Sequence, residues 1–337
     1  GWQGLRPFRV RDKQLVTPEI ASIELATVDG AHVPPFLAGQ SITIALPEGQ
    51  RSYSLTSPPL HNGSDSFTIA VRRIDDGAVS PAIVDTLAIG DVVELGAPTG
   101  RFVIPQRNEF PVVMIAGGIG ITPFISYLRS LPGEGEGAPP RILLLYYCRE
   151  RENVAFLDEL DEYSMHNPHV ELRLFLRNPS GRCGRHPIGQ GRYASDHVDQ
   201  ALIDARARFY ICASEGMIEG VTQDLKTRGV PAFEIFSERF VSPMDVAADV
   251  SNLSPREVTF ARSGRKLTWK PQEGSLLQMA EASGISLPSG CRVGQCESCA
   301  TRVLQGSVMH LSKVDLAEDN ICLTCIGVPV SDLVLDA

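Results

Sequence analysis

The stretch VVMIAGGIGITP, residues 112–123, decides the fold of the middle of the chain. Its first five residues are apolar and uncharged, which predicts a strand buried on both faces of a parallel sheet. Gly117, Gly118 and Gly120 follow, and a helical stretch begins near Pro123. Glycines between a strand and a helix let a pyrophosphate approach the backbone and the helix N-terminus. The stretch therefore predicts a nucleotide site, although it lacks the G-x-G-x-x-G pattern of Rossmann proteins.

The residues that follow continue the same pattern. Further buried strands are predicted at 142–147, 170–176 and 208–212, with helical segments around 155–164 and 215–228. Buried strands that alternate with helices indicate a parallel sheet covered on both faces. We therefore expect an α/β nucleotide domain over about residues 108–240.

The N-terminal part has a different periodicity. Between about residues 8 and 104, short runs such as Ser41–Leu46 and Phe67–Val71 alternate apolar and polar side chains and are separated by turn residues. This alternation is typical of antiparallel strands with one buried face. A small antiparallel β-barrel is expected over residues 1–107, with a sandwich as the other arrangement that would fit.

The C-terminal part is marked by its cysteines. A linker is expected at 241–256, followed over 257–337 by a hairpin, a short helix from Ser275 and a C-x₄-C-x₂-C run with a distant fourth thiol. The four thiols are Cys291, Cys296, Cys299 and Cys325. This is the spacing of plant-type [2Fe–2S] ligands. Because Cys322 and Cys325 form a second C-x₂-C pair, a structural zinc site is the alternative, but the four-residue gap favours iron and sulfide.

Composition excludes several classes of function. A chain of 337 residues has room for two or three domains. Its 31 Lys and Arg against 40 Asp and Glu give a net charge of −9, so neither nucleic acid nor anionic membrane is an expected partner. No apolar run approaches the ~20 residues that cross a bilayer, and the first residues lack the features of a secretory signal. We expect a cytoplasmic protein.

Two motifs resemble segments of one known superfamily. Residues 51–54, Arg-Ser-Tyr-Ser, match the R-x-Y-S flavin signature of the ferredoxin–NADP reductase superfamily, and residues 117–123 match its G-G-x-G-x-T-P segment. Residues 257–337 resemble a plant-type, β-grasp ferredoxin domain, in which Cys325 is a ligand and Cys322 is spare. The domain order is similar to that of oxygenase reductases of the phthalate dioxygenase reductase and vanillate demethylase reductase type.

The resemblance implies a set of flavin contacts. Arg51 would pair with a flavin phosphate, Tyr53 would lie against the ribityl chain or ring, and Ser54 would reach the ring edge at N5. A second phosphate segment would be presented by a turn that leads into a helix. The residues assigned to flavin binding are Arg51, Ser52, Tyr53, Ser54, Val71, Arg72, Gly77, Val79 and Ser80.

The resemblance also implies nicotinamide contacts. The family motif C-G-P-x-x-M appears as Cys212-Ala-Ser-Glu-Gly-Met217, with its glycine and proline replaced, which puts the local geometry in question. Glu238 would lie near flavin N5 and the nicotinamide, so Ser54, Cys212 and Glu238 are the candidate catalytic residues. The residues assigned to nucleotide or flavin contact here are Gly117, Gly118, Gly120, Thr122, Pro123, Arg149, Met217 and Phe240.

The function implied is electron transfer. Nicotinamide delivers two electrons as hydride, whereas an iron–sulfur cluster accepts one at a time, so a flavin is needed between them. The expected acceptor is a separate terminal oxygenase, of the Rieske type or another monooxygenase, that docks transiently. FAD is favoured over FMN because the G-G-S turn of FMN-dependent members is absent, and NADH is favoured over NADPH, although arginines after the third strand could bind a 2′-phosphate.

Two alternatives remain open at this point. The chain could be an iron–sulfur electron carrier whose nucleotide site has degenerated, since the motif at Cys212 is altered. It could also be the reductase portion of a larger fused oxygenase.

Overall fold

The computed structural model describes residues 2, 4–59, 63–131, 139–179, 188–240, 250, 252–290, 292–294, 297–312, 314, 316, 318 and 320–337. Two compact units are present, residues 1–240 and residues 241–337.

The first unit begins with six antiparallel strands. They are β1 (Arg6–Thr17), β2 (Ile20–Thr27), β3 (Ser41–Leu46), β4 (Gly49–Ser54), β5 (Ser66–Arg72) and β6 (Val92–Leu95), in the order β4-β3-β6-β1-β2-β5. The two edge strands meet, because Leu55 bridges Ile69 and the amide of Thr56 donates to the carbonyl of Thr68 at 2.8 Å. This closes the sheet, which confirms the predicted barrel. A helix α1 (Val79–Pro81), continued by a π-helical turn over Ala82–Thr86, packs against it.

A parallel sheet forms the second half of this unit. Its strands are β7 (Val112–Gly117), β8 (Ile142–Cys148), β9 (Val170–Leu176), β10 (Ile188–Gln190), β11 (Arg208–Cys212) and β12 (Ile235–Glu238). The helices are α2 (Thr122–Leu128), α3 (Leu157–His166), α4 (Gln200–Asp204) and α5 (Glu215–Thr227). The predicted α/β architecture is confirmed, and the two short strands β10 and β12 extend it at both edges.

The order of these strands locates a crevice. They run β10-β9-β8-β7-β11-β12, all parallel. The chain moves outward from β7 through β8 and β9 to β10, and then returns to the opposite side of β7 for β11 and β12. Ligands of open α/β sheets bind at such a switch point, outside the carboxyl ends of the strands. Here that point lies between Gly117 and Cys212.

The barrel and the parallel sheet share one apolar core. Phe102, from the barrel side, lies 6.2 Å from the Phe124 ring and 5.8 Å, edge-on, from the Tyr210 ring. Ile20 and Ile104 are buried in the same cluster. Burial of such side chains contributes roughly 1.5–3 kcal/mol each, so the two domains of this unit are held by a substantial hydrophobic contact.

The second unit is a β-grasp domain, as predicted. Strands β13 (Arg256–Phe260), β14 (Arg265–Trp269), β15 (Ala300–Gln305), β17 (Ile321–Leu323) and β19 (Leu333–Leu335) form a sheet in the order β14-β13-β19-β15-β17, and β16 (Val308–His310) pairs with β18 (Gly327–Pro329). Helix α6 (Leu276–Ala282) begins at Ser275, whose hydroxyl accepts from the amide of Gln278 at 3.3 Å. Trp269 is fully buried in the same core cluster as Leu276 and Leu277 of this helix.

Across the described ranges, none of the helices has both the length and the apolar character needed to cross a bilayer.

A stack of rings covers part of the parallel sheet. Phe175 lies 4.0 Å from the His197 ring and 4.8 Å from the Tyr147 ring. The Tyr147 hydroxyl lies 2.7 Å from His197 Nδ1, and the amide of Ala194 points to the same nitrogen at 3.4 Å. An amide can only donate, so Nδ1 is an acceptor and the ring is neutral. Burial lowers the pKa of His197 below its ordinary 6.5.

We predict an acid-sensitive contribution of His197 to stability. Because its folded pKa is lower than its unfolded pKa, the contribution is complete above about pH 6.5 and is lost as pH falls toward the folded value. Between about pH 7.5 and 5.5, the unfolding midpoint temperature should fall less in His197→Gln than in the wild type. The corresponding difference in the free energy of unfolding is at most the effect of one proton, ~1.4 kcal/mol per pH unit. His166→Gln, at an exposed position on α3, is the control. Equal pH dependence in both variants would contradict the assignment.

Candidate functional site

The R-x-Y-S residues lie at the end of β4. Ser54 is 4% exposed, and its hydroxyl has no hydrogen-bond partner within the described part of the chain. An unsatisfied buried hydroxyl costs about 1–3 kcal/mol, so a ligand atom that pairs with it would be stabilised. Burial raises the pKa of Tyr53, which packs on the barrel core. The orphaned hydroxyl fits a flavin ring edge.

Arg51 and Ser52 differ in what they offer. The Arg51 guanidinium donates to the Gln50 carbonyl at 2.7 Å, and no carboxylate of the described residues forms an ion pair with it. The Ser52 hydroxyl is 3.0 Å from that of Thr43 and so belongs to the barrel's own hydrogen bonding. Arg51 is available to a phosphate, whereas Ser52 contributes mainly to β3–β4 pairing.

The second flavin segment offers backbone groups more than side chains. Val71 and Val79 are 0% and 1% exposed in the barrel core. The Ser80 hydroxyl accepts from the amide of Ile74 at 3.1 Å, and the Gly77 amide donates to the Ile74 carbonyl at 2.9 Å. These bonds shape a turn that leads into α1. Arg72, exposed at the end of β5, is the charged member of the set.

The glycine loop lies at the switch point of the parallel sheet. A Cβ at Gly120 would stand 2.0 Å from the carbonyl oxygen of Cys212, which no side chain permits. A Cβ at Gly117 would stand 2.9 Å from that of Ala213 and 3.3 Å from the sulfur of Met217. The two loops are therefore in direct backbone contact, and only glycine allows it.

The start of α2 completes the loop. Gly118 adopts a left-handed φ of 55°, and Pro123 occupies the first turn of the helix. Thr122 is buried, and its hydroxyl donates to the carbonyl of Ile119 at 3.1 Å. Thr122 thus holds the shape of the turn at the start of α2, next to the switch point of the sheet.

The altered motif at Cys212 brings Met217 to the glycine loop. Ser214 is the N-cap of α5, and its carbonyl accepts from the amide of Met217 at 3.0 Å. This turn places Met217 beside Gly117 even though the family's glycine and proline are replaced. Met217 therefore contacts the glycine loop in this chain, whose motif lacks the family's glycine and proline.

Cys212 and Glu238 lie side by side. They are register partners on β11 and β12. Cys212 is fully buried, and burial, reinforced by the Glu238 carboxylate, raises the pKa of its thiol well above the usual range. The thiol therefore stays protonated at neutral pH and is no thiolate nucleophile. Ser54 shares no hydrogen bond with either residue, since its hydroxyl is unpartnered in the described ranges.

Arg129 and Ser126 support the site from the adjoining domain, and sequence reasoning missed them. From α2, Arg129 donates to the Thr56 carbonyl at 2.8 Å and makes a bidentate pair with Glu159 at 2.7 and 2.8 Å. The Ser126 hydroxyl donates to the Ser57 carbonyl at 2.8 Å. Both bonds tie the chain after β4 to the helix after the glycine loop. Their long sequence separation left no signal in the sequence.

The remaining residues with predicted cofactor contacts are Arg72, Arg149 and Phe240. Arg72 reaches the glycine loop, since its Nη1 lies 3.9 Å from where a Cβ of Gly118 would be. Arg149 is exposed at the end of β8, and its carbonyl accepts from the amide of Asn178 at 3.0 Å. Phe240 is 45% exposed just after β12. The structure thus brings Arg72 to the crevice and leaves Arg149 and Phe240 on exposed segments.

Two of the four predicted metal ligands are described in the second unit. Cys299 and Cys325 are 1% and 8% exposed, and their sulfurs are 3.1 Å apart. Cys291 and Cys296 lie outside the described residues. Cys322 is also buried, and burial raises the pKa of its thiol to about 12. The close pair is Cys299 with Cys325, as expected if Cys322 is the spare thiol.

The carbonyl of Cys299 joins the two ligand-bearing segments. It accepts from the amide and the hydroxyl of Thr324, at 3.3 and 3.2 Å, and from the hydroxyl of Thr301 at 3.2 Å. Of the described residues before Cys299, Arg292, Gly294 and Glu297 have positive φ. Left-handed residues turn successive amides toward one side, where they bind anions such as sulfide-rich clusters. The donors and the loop fit a [2Fe–2S] cluster.

Comparison with known proteins shows to which family the chain belongs. Three family models match in succession: an oxidoreductase FAD-binding domain over residues 7–104, an oxidoreductase NAD-binding domain over 114–223 and a 2Fe-2S iron-sulfur cluster binding domain over 258–330. The oxygenase reductase subunit of phthalate 4,5-dioxygenase from Pseudomonas putida is 30% identical over 99% of this chain and 97% of its own length. The chain belongs to the phthalate dioxygenase reductase family.

Two further relatives in this family agree. Phthalate dioxygenase reductase from Burkholderia cepacia is 29% identical over 99% of this chain and 98% of its own. The solved structure of phthalate dioxygenase reductase, described as a modular structure for electron transfer from pyridine nucleotides to [2Fe–2S], superposes with a TM-score of 0.67 at 26% identity, covering 99% and 98% of the two chains.

Family membership confirms the resemblance drawn from the sequence. The three-part fold and the oxidoreductase class are those predicted. The cofactors are also those predicted, with a flavin domain of the FAD-binding type, an NAD-binding domain and an iron–sulfur rather than a zinc domain.

We predict that Gly120→Ala impairs nucleotide binding. The added methyl would overlap the Cys212 carbonyl, so β11 or the glycine loop must shift, at a cost of about 1–3 kcal/mol. Titration with NAD⁺ should show an affinity lowered at least tenfold, with a lower unfolding temperature. Gly220→Ala on α5 meets nothing within 4 Å and should raise stability by up to ~1 kcal/mol. Unchanged affinity in Gly120→Ala would show that the loop contact is dispensable.

Proposed function

We propose that this protein is the NAD(P)H-dependent reductase component of an oxygenase system. It takes electrons from a reduced nicotinamide through flavin to a [2Fe–2S] cluster and passes them to a separate oxygenase. The observation that carries this proposal is the packing of the glycine loop against Cys212 at the switch point. The same unit contains the barrel, in which the buried Ser54 hydroxyl has no hydrogen-bond partner among the described residues. The proposed domains are residues 1–107, 108–240 and 257–337, with 241–256 as linker.

In the flavin domain, Arg51 and the turn before α1 would hold the flavin phosphate. Arg51 has no competing carboxylate among the described residues, and a guanidinium pairs with phosphate in a bidentate manner. Tyr53 would flank the ring system, and Ser54 would satisfy its hydroxyl at the ring edge. When bound, a flavin accepts two electrons as hydride and releases them singly.

In the nucleotide domain, the residues would position the dinucleotide and exclude water from it. Gly117, Gly118 and Gly120 allow the dinucleotide to lie on the backbone, and Met217 covers Gly117. Hydride transfer between aligned rings needs no general acid or base, so positioning is the main contribution of the protein. The buried, protonated Cys212 adds no charge beside the Glu238 carboxylate.

In the third domain, Cys291, Cys296, Cys299 and Cys325 would ligate the cluster. Cys322 would stay a thiol, packed against Gly327, where even a Cβ would come within 2.5 Å of its sulfur. The partner is proposed to be a terminal oxygenase that docks transiently, because a carrier that serves many turnovers has to dissociate, through a small and partly polar interface.

The proposal is tested first at Arg51. Arg51→Ala removes a charge-assisted contact worth ~1.5–3 kcal/mol, so flavin affinity should fall about 10- to 100-fold, measured by flavin released on dilution and gel filtration. Arg9→Ala, an exposed barrel arginine that donates to the Gly90 carbonyl, is the matched control. Full flavin retention in Arg51→Ala would remove Arg51 from the site, and wild-type protein whose flavin is not bleached by NADH or NADPH would end the proposed function.

The cluster assignment is tested by two cysteine variants. Cys325→Ser should lose most of its iron and inorganic sulfide, while Cys322→Ala should keep both, because of these two thiols it is Cys325 whose sulfur lies 3.1 Å from that of Cys299. Flavin reduction by NADH should persist in each variant. Cytochrome c reduction, as a one-electron readout, should fall at least tenfold in Cys325→Ser alone. Cluster loss in Cys322→Ala with retention in Cys325→Ser would reverse the assignment.

A further inference from the structure

A cleft of about 650 Å³ opens at the carboxyl edge of the parallel sheet. It is lined by Glu150, Arg177, Asn178, Pro179 and Gln190. These residues follow β8 and β9 and end β10. The cleft belongs to the same edge as the glycine loop, because Gly117 of β7 is the register partner of Tyr147 on β8.

The distance between the glycine loop and the cleft suits a single dinucleotide that spans both. Neighbouring strands lie ~4.8 Å apart, so the ends of β8, β9 and β10 are about 5–15 Å from the end of β7. A dinucleotide whose pyrophosphate lies along the glycine loop extends its two nucleosides in opposite directions along this edge. With the nicotinamide toward Cys212 and Glu238, the adenosine points toward the cleft.

The cleft contains a carboxylate with spare acceptor capacity. The Glu150 side chain is exposed, and the amide nitrogen of Asn178 donates to its Oε1 at 3.4 Å. No cation forms an ion pair with Glu150 in the described residues. One weak bond leaves most of the lone pairs of the carboxylate free, so it can accept a further hydrogen bond from a ligand.

The backbone around this carboxylate is held in place. The amide of Arg177 donates to the Cys148 carbonyl at 3.1 Å, and the amide of Asn178 donates to the Arg149 carbonyl at 3.0 Å. Glu150 itself begins a short helical turn, since its carbonyl accepts from the amide of Asn153 at 3.2 Å. The ends of β8 and β9 therefore present Glu150 from a defined position.

We propose that Glu150 selects NADH over NADPH by accepting a hydrogen bond from the 2′-hydroxyl of the adenosine ribose. This inference rests on the proposed function and identifies the substrate of the same site. A hydroxyl donates to a carboxylate, whereas a 2′-phosphate carries negative charge and is repelled by it. In Rossmann folds an acidic residue about 20 residues after the glycine motif plays this part. Here Glu150 is at the corresponding place in the fold, after the second strand of the parallel sheet, although it follows Gly120 by 30 residues.

Arg177 is the opposing group in the cleft. Its guanidinium has no ion-pair partner in the described ranges and could attract either the pyrophosphate or a 2′-phosphate. If Arg177 governed selection, the wild-type protein would prefer NADPH. The proposal therefore requires that wild-type protein prefer NADH and that the preference depend on Glu150.

The test compares both nucleotides on the holoprotein. Anaerobic flavin reduction with NADH and with NADPH should give a kcat/KM ratio that favours NADH in the wild type and falls at least tenfold in Glu150→Gln, which keeps size and removes charge. Glu152→Gln, exposed two residues further along the same loop, should leave the ratio unchanged. The fall of this ratio in Glu150→Gln should include a rise in kcat/KM for NADPH. Adding Arg177→Ala to Glu150→Gln should abolish that rise.

Binding gives a readout that does not depend on turnover. Calorimetric titration with ADP and with adenosine 2′,5′-bisphosphate should show tighter binding of ADP to wild type, and a difference reduced at least tenfold in Glu150→Gln. An unchanged preference in Glu150→Gln by both measurements, or a wild-type preference for the 2′-phosphorylated ligands, would overturn the assignment. Failure of the proposed function is separate, because then neither nucleotide would reduce the flavin in any variant.

Discussion

The structure of the first unit depends on a single close approach of two backbones. The glycine loop after β7 packs on the end of β11 so tightly that a methyl group at Gly120 would lie 2.0 Å from the Cys212 carbonyl. This contact joins the two halves of the sheet at its switch point, where Met217 lies beside Gly117. The crevice where a dinucleotide binds in such sheets lies at this switch point.

The flavin domain is coupled to this crevice by contacts distant in sequence. Barrel closure at Leu55 and Ile69 brings the chain after β4 to the surface that faces α2, where Arg129 and Ser126 bond to its carbonyls. Because these bonds go to backbone atoms, the position of Ser54 is set by the adjoining domain as well as by its own strand. Contacts of this kind suit hydride transfer, in which a misplacement of ~1 Å can cost about 100-fold in rate.

In the second unit, too, one backbone group organises the site. One carbonyl, that of Cys299, receives three hydrogen bonds from Thr301 and Thr324 and thereby brings Cys325 beside Cys299. Cys322, only three residues away, is turned into the core against Gly327. Two thiols of one C-x₂-C pair thus have different surroundings, which counting cysteines could not reveal.

By itself the sequence determined the three fold types and the location of each motif, because periodicity, glycine position and cysteine spacing are local properties that survive any tertiary arrangement. It also pointed to Gly117, Gly120 and Met217, which the structure brings together. Only the tertiary structure decided that Arg129 bonds to Thr56, that the Ser80 hydroxyl closes its own turn and that Glu150 lines a cleft with residues from β9 and β10. Those facts depend on which side chains meet across strands tens of residues apart, and long-range pairing leaves no periodic trace along a single chain.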